Sequence, residues 1–137
     1  MTAEQIELVK HSWKMFRGID PVVVGDTFYS KLFLENPSLR KMFPKNMEMQ
    51  YRKLLDMLNL IVIRLERLDE INDEIVAMAK RHVNYGVRPG HYRLIGSALI
   101  WTLQQGLGRD WNDDIREAWT RCYAILSGTM IEAAYGS

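Results

Sequence analysis

Apolar residues recur along almost the whole chain at intervals of three and four, the period of an amphipathic helix. No stretch alternates apolar and polar residues long enough to read as a strand. Ile6, Val9, Trp13 and Phe16 fall on one helical face. Thr2 and Gln5 stand ahead of them at capping-box spacing, and Gly18 stops the helix. Asp20-Pro21 opens a second helix as cap and first-turn proline. It carries Val24, Phe28 and Leu32 on one stripe, with Tyr29 and Phe33 beside it. Asn36-Pro37 breaks the chain and starts a short helical piece that ends at Met42-Phe43-Pro44.

A long helix is expected from about Met49 to Glu66, with Leu54, Met57, Leu58, Ile61, Val62 and Leu65 as its apolar stripe. The next, about Glu70 to Val83, has a thin stripe of Ile75, Met78, Ala79 and His82. Gly86 and Arg88-Pro89-Gly90 punctuate. A sixth helix turns Tyr92, Ile95, Leu99, Leu103 and Leu107 inward, and Gly106 and Gly108 are expected to end it. Asp110 is expected to cap the last helix, with Asp113 and Asp114 in its first turn, where they favour the positive end of the helix dipole. Ile115, Trp119, Cys122, Leu126 and Met130 line that helix's buried face. The pattern predicts an all-α chain of six or seven uneven helices around one core. The short proline-started piece fits a bundle of four equal helices poorly.

The 137 residues suit a single domain, 1–137, with no repeat or linker. Hydrophobic residues make up 47% and charged residues 26%, ordinary values for a globular chain. A net charge of +1 gives no electrostatic case for nucleic acid or an anionic membrane. The longest aliphatic run, Leu60 to Ile63, is far short of a membrane span. The polar, amphipathic start is not a secretory signal, and Cys122 has no second cysteine to pair with. A reducing cytoplasm is the expectation.

Chemistry enters with the three histidines. His11, between Lys10 and Ser12, should be exposed, and His91 sits in a turn-like stretch. His82 continues the apolar stripe. A buried neutral imidazole needs partners for both nitrogens. A backbone carbonyl one turn back, near Met78, can serve one of them; the other needs a hydrogen-bond partner or a metal. Taken alone, this pattern suits a satisfied core histidine better than a ligand. Phe43, Tyr29 and the eight methionines, likewise, are each first of all core residues.

Together these residues are more specific. FYSKLFLENPSLRKMF (28–43), RHVNYGVRPGHYRLIG (81–96) and AWTRCYAIL (118–126) occur in order and at family spacing. Over essentially its whole length the chain resembles the bacterial single-domain globins and the haem domain of flavohaemoglobins. The resemblance implies an all-α globin fold, a three-over-three helical sandwich with the D helix short or absent. It also implies one non-covalent haem b bound through His82, with a position left open for O2, CO or NO. Phe43, Gln50, Lys53, Leu54, Met78, Arg81, Tyr85, Val87, Tyr92 and Ile95 are the residues it implies around the haem.

On the distal side, MQYRKLLDML resembles a subgroup with glutamine in the distal position, which puts Gln50 over the iron and Lys53 at the pocket edge, facing a haem propionate. A gapless match would instead put Lys53 over the iron and Met57 beyond it. A lysine over an apolar haem face carries a large desolvation cost, and its stem would rather reach water. Tyr29 and Gln50 are then the implied catalytic or ligand-holding donors. Two such donors predict slow oxygen release. Glutamine has no protonation step near pH 6, so ligand retention should survive mild acid.

Flavohaemoglobins pair the proximal histidine with a G-helix tyrosine and an H-helix glutamate. Tyr92 matches the tyrosine, whereas the glutamate position falls on Ala134. Glu132 lies about 200° around the helix from it, which argues against a dedicated peroxidase. The chain has no room for a reductase or signalling module, so any reductase should be separate. Two functions follow: a high-affinity oxygen-binding protein, monomeric or weakly dimeric, or a nitric oxide dioxygenase. A haem-free helical interaction module is a third, weaker reading.

Overall fold

A computed structural model describes residues 1–135. Among the described residues there are six α-helices: α1 (Ala3–Phe16), α2 (Pro21–Glu35), α3 (Glu48–Ile63), α4 (Asn72–Asn84), α5 (His91–Leu107) and α6 (Asp113–Tyr135). Short 3₁₀ helices fill Pro37–Met42, Leu65–Ile71 and Gly108–Asp110. No strand occurs among the described residues.

The local signals act as their chemistry requires. Thr2 Oγ1 accepts from Gln5 N–H, and Gln5 reaches back to the Thr2 N–H, each at 3.0 Å. Asp20 accepts from Val22 N–H, ahead of Pro21 in the first turn of α2. Three boundaries differ from expectation. The helix expected to reach Glu66 stops at Ile63, and the chain turns through a 3₁₀ segment kinked at Arg67. The next helix therefore starts at Asn72 rather than Glu70. Asp110 does not cap α6. It closes a 3₁₀ turn, and Asn112 Oδ1 accepts from Ile115 N–H at 2.9 Å instead. Nor does Gly106 end α5, which runs on to Leu107; Gly108, with φ of +52°, is the stop.

The helices form two layers, α1, α3 and α4 over α2, α5 and α6, and the D helix is absent because residues 43–47 are non-helical. Across the layers α1 and α4 pack on α6, and α2 packs on α3. One buried cluster joins all six helices. Two of its indoles are paired: Trp119 Nε1–H donates to Ser12 Oγ at 2.9 Å, and Ser12 O–H turns to the Leu8 carbonyl at 2.7 Å. Trp13 Nε1–H reaches Asn59 Oδ1 at 3.0 Å, tying α1 to α3.

Candidate haem site

The sandwich leaves a cavity of about 400 Å³ between α3 and α4, walled behind by α5 and α6. His82 enters it from α4. Its Nδ1 lies 2.7 Å from the Met78 carbonyl oxygen. A carbonyl only accepts, so Nδ1 carries the proton, and the Nε2 lone pair is left for a metal. Burial lowers the basicity of the imidazole, the Met78 bond partly offsets this, and the neighbouring Arg81 charge lowers it further. The neutral, ligating form is therefore favoured at neutral pH. Tyr92 from α5 stacks near His82 with ring centroids 6.4 Å apart, and Tyr85 approaches to 6.1 Å.

The other polar side is built by α2 and α3. Tyr29 is held by Phe28, Phe43 and Tyr51 at ring-centroid distances of 4.8, 5.4 and 5.7 Å. It does not turn away to a backbone carbonyl; its hydroxyl has Gln50 as polar neighbour. Burial pushes the Tyr29 hydroxyl up to about 12, and Gln50 partly offsets this. Tyr29 therefore stays protonated, a donor, through all ordinary pH. Tyr29, Gln50 and His82 line the same cavity. Leu54, Met78 and Ile95 supply apolar wall, and Lys53 and Arg81 stand at the rim with exposed side chains.

Phe43 and Val87 do not line the cavity. Phe43 stands behind Tyr29 and also meets Phe33 at 5.4 Å. Val87 is buried at the corner after α4, where its carbonyl accepts from the Tyr135 hydroxyl. The sequence reading named Met57 at the site only in the alternative register and left out Ile61, the two lying one and two turns beyond Leu54, and left out the α6 residues Tyr123, Ser127 and Met130. The first two were legible as a continuation of the α3 stripe. Ser127 carries no such signal. Tyr92 has a buried hydroxyl with no hydrogen-bond partner, Ala134 packs at the core edge and Glu132 is exposed.

Among the described residues no three histidine, cysteine or acidic side chains come together to hold a bare metal ion. A lone imidazole on an apolar slot with cations at its rim therefore fits an iron whose other ligands come from a flat, largely apolar macrocycle bearing carboxylates. The protein's own donor set fits a haem.

The globin family profile matches residues 26–130. The flavohemoprotein of Vibrio cholerae is 23% identical over 96% of this chain, which spans only about a third (34%) of that protein. A bacterial globin from Campylobacter jejuni superimposes with a TM-score of 0.87 at 21% identity, covering 98% of this chain and 97% of that one. An engineered carbene transferase and candidate nitric oxide dioxygenase from Rhodothermus marinus gives 0.89 at 23% identity, covering 99% and 94%. No helix among the described residues is long and apolar enough to cross a membrane.

Proposed function

The chain belongs to the globin family, and on that premise we propose that it takes its haem through His82 and holds oxygen tightly with Tyr29 and Gln50. The cofactor of the family is haem b, which when bound supplies an open iron position for O2, CO or NO. Met78 orients the His82 ring, and burial keeps that ring neutral. Leu54, Met57 and Ile61 exclude water from the slot. Lys53 and Arg81 offer cations to the haem carboxylates.

The observation that carries the reading is the buried Tyr29 hydroxyl beside Gln50 on the cavity that His82 enters. A hydroxyl and an amide donate toward the negative charge that builds on a polarised diatomic ligand. In a dry pocket such bonds are stronger than in water. One bond of about 1.4 kcal/mol tightens binding about tenfold, so release should be slow. Absorbance spectra of ferric, ferrous and CO-bound protein, wild type against His82→Ala, test the haem assignment. A His82→Ala chain that retains porphyrin with an unchanged Soret band refutes it.

A second reading is favoured by the same pair of donors. Slow release suits a nitric oxide dioxygenase, which converts NO and O2 to nitrate with electrons from a reductase. Sustained NO consumption with a reductant present, against a single stoichiometric turnover, separates the two.

A further inference from the structure

Tyr92, Tyr123 and Ser127 line two hollows at once. One is the cavity that His82 enters. The other is an open groove between α5 and α6, reached from solvent past the exposed Ser97 and Thr120. Where the two hollows share lining residues, little more than those side chains divides them. The partition belongs to α5 and α6, whereas the rim residues Lys53 and Arg81 belong to α3 and α4.

The partition is thin and lightly held. A Cβ at Gly96 would stand 2.5 Å from Tyr123 Cε2 and 2.8 Å from its Cδ2, so the ring lies on bare α5 backbone. The Tyr123 hydroxyl donates to the Tyr92 carbonyl at 2.6 Å. That carbonyl lies within α5 and has a second lone pair for the helical ladder. If the ring swings into the groove, its hydroxyl passes from a carbonyl to water and no backbone group is stranded. Ala124, small and exposed, leaves room on that side. The buried Tyr92 hydroxyl has no partner and latches nothing.

We propose that Tyr123 gates a second passage, between α5 and α6, by which uncharged diatomic gases reach the haem cavity. The passage rests on the haem reading for its purpose, not for its geometry. Ile100, Trp101 and Ile131 line the groove, and an apolar gas prefers such a surface to water. An ion would have to shed its hydration to pass between Tyr123 and Ser127. The inner end opens beside Tyr92, which stacks near His82. Ile95 and Leu99, one and two turns further along α5, continue the apolar wall toward α2, the helix of Phe28 and Tyr29. O2, CO and NO can therefore enter without passing the charged rim.

The test uses haem-loaded protein with CO as probe. A route joins the same two end states in both directions, so altering it changes association and dissociation by one factor and leaves affinity alone. Tyr123→Phe keeps the ring and removes the latch. Both rates should rise by about threefold or more, one neutral hydrogen bond's worth. Ser127→Phe fills the gap beside the ring, and both rates should fall. The Soret band of each variant should match wild type.

Xenon, an uncharged atom that does not react with iron, is the second probe. In wild-type crystals under xenon pressure it should lie among Tyr92, Tyr123 and Ser127. Unaltered rates in both variants overturn the proposal. So does a change in affinity, which places the effect on the iron or its donors rather than on a route, and so does the absence of xenon from the partition. Xenon needs no haem: a chain that holds it there yet refuses porphyrin loses the haem assignment and keeps the passage.

Discussion

Gly25 on α2 and Tyr51 on α3 occupy one another's space: a Cβ at Gly25 would stand 2.6 Å from Tyr51 Cβ, and nearer still to its ring. The absence of a side chain at position 25 lets the two helices close. Tyr29 lies one turn further along α2, and Gln50 is the neighbour of Tyr51, so this contact sets the spacing of the two proposed ligand-holding donors.

Gly25→Ala should therefore act twice. Tyr51 must move or the helices must part, at about 1–3 kcal/mol, the usual range for overpacking. Oxygen or CO release should quicken as Tyr29 and Gln50 separate. Unchanged unfolding and unchanged release together would show that the ring yields without moving the helices.

Tyr29→Phe and Gln50→Leu should each speed oxygen release by about tenfold, one hydrogen bond's worth. The double variant should fall short of the product, because neighbours in one network do not act independently. Lys53→Ala should leave release nearly unchanged, as its side chain is exposed at the rim. A strong Lys53→Ala effect with none from Gln50→Leu would put the lysine over the iron instead.

Tyr92→Phe removes a buried hydroxyl with no partner. Burial without a hydrogen bond is costly, so the haem-free variant should be as stable as the parent or slightly more so. Denaturant midpoints check this. A loss of more than about 1 kcal/mol would mean that the hydroxyl is satisfied after all.

Ser12→Ala should cost about 1–3 kcal/mol, because it strands the Trp119 indole N–H in the core. Ser12→Thr, which keeps the hydroxyl, should recover part of the loss unless its extra methyl overfills the site. A neutral Ser12→Ala would indicate that the indole finds another acceptor.

Alkali should destabilise the fold. Burial pushes the Tyr29 and Tyr92 hydroxyls and the Cys122 thiol up to about 12, from 10.0 for the tyrosines and 9.0 for the cysteine. Above pH 9 the unfolded chain thus loses protons that the folded chain keeps. Stability is complete below that point and falls as pH rises toward 12. Tyr29→Phe should flatten the decline measured by denaturant titration, and an unaltered slope would contradict the assignment.

His82 was visible because a polar residue on an apolar stripe is an anomaly that local periodicity exposes. The bond to Met78 was equally foreseeable, since a helix places the carbonyl of one residue near the side chain four positions on. Cap choice was not. Asp110 and Asn112 are both competent caps, and the 3₁₀ turn at Gly108 decides which one meets the helix. The resemblance grouped Phe43 and Val87 with the cavity-lining residues, while the packing of Tyr29 and of Tyr135 sets them behind that wall.

Sequence alone determined the helices, their apolar faces and the imidazole that faces inward, because hydrophobic period and capping are interactions within a few residues. Tertiary structure decided what shares the cavity: Tyr29 with Gln50, Ser127 and Met130 behind them, and Lys53 of one helix with Arg81 of another in its wall. Those neighbours are tens of residues apart in the chain. Whether they meet depends on how closely the helices pack, which at Gly25 comes down to a missing methyl group.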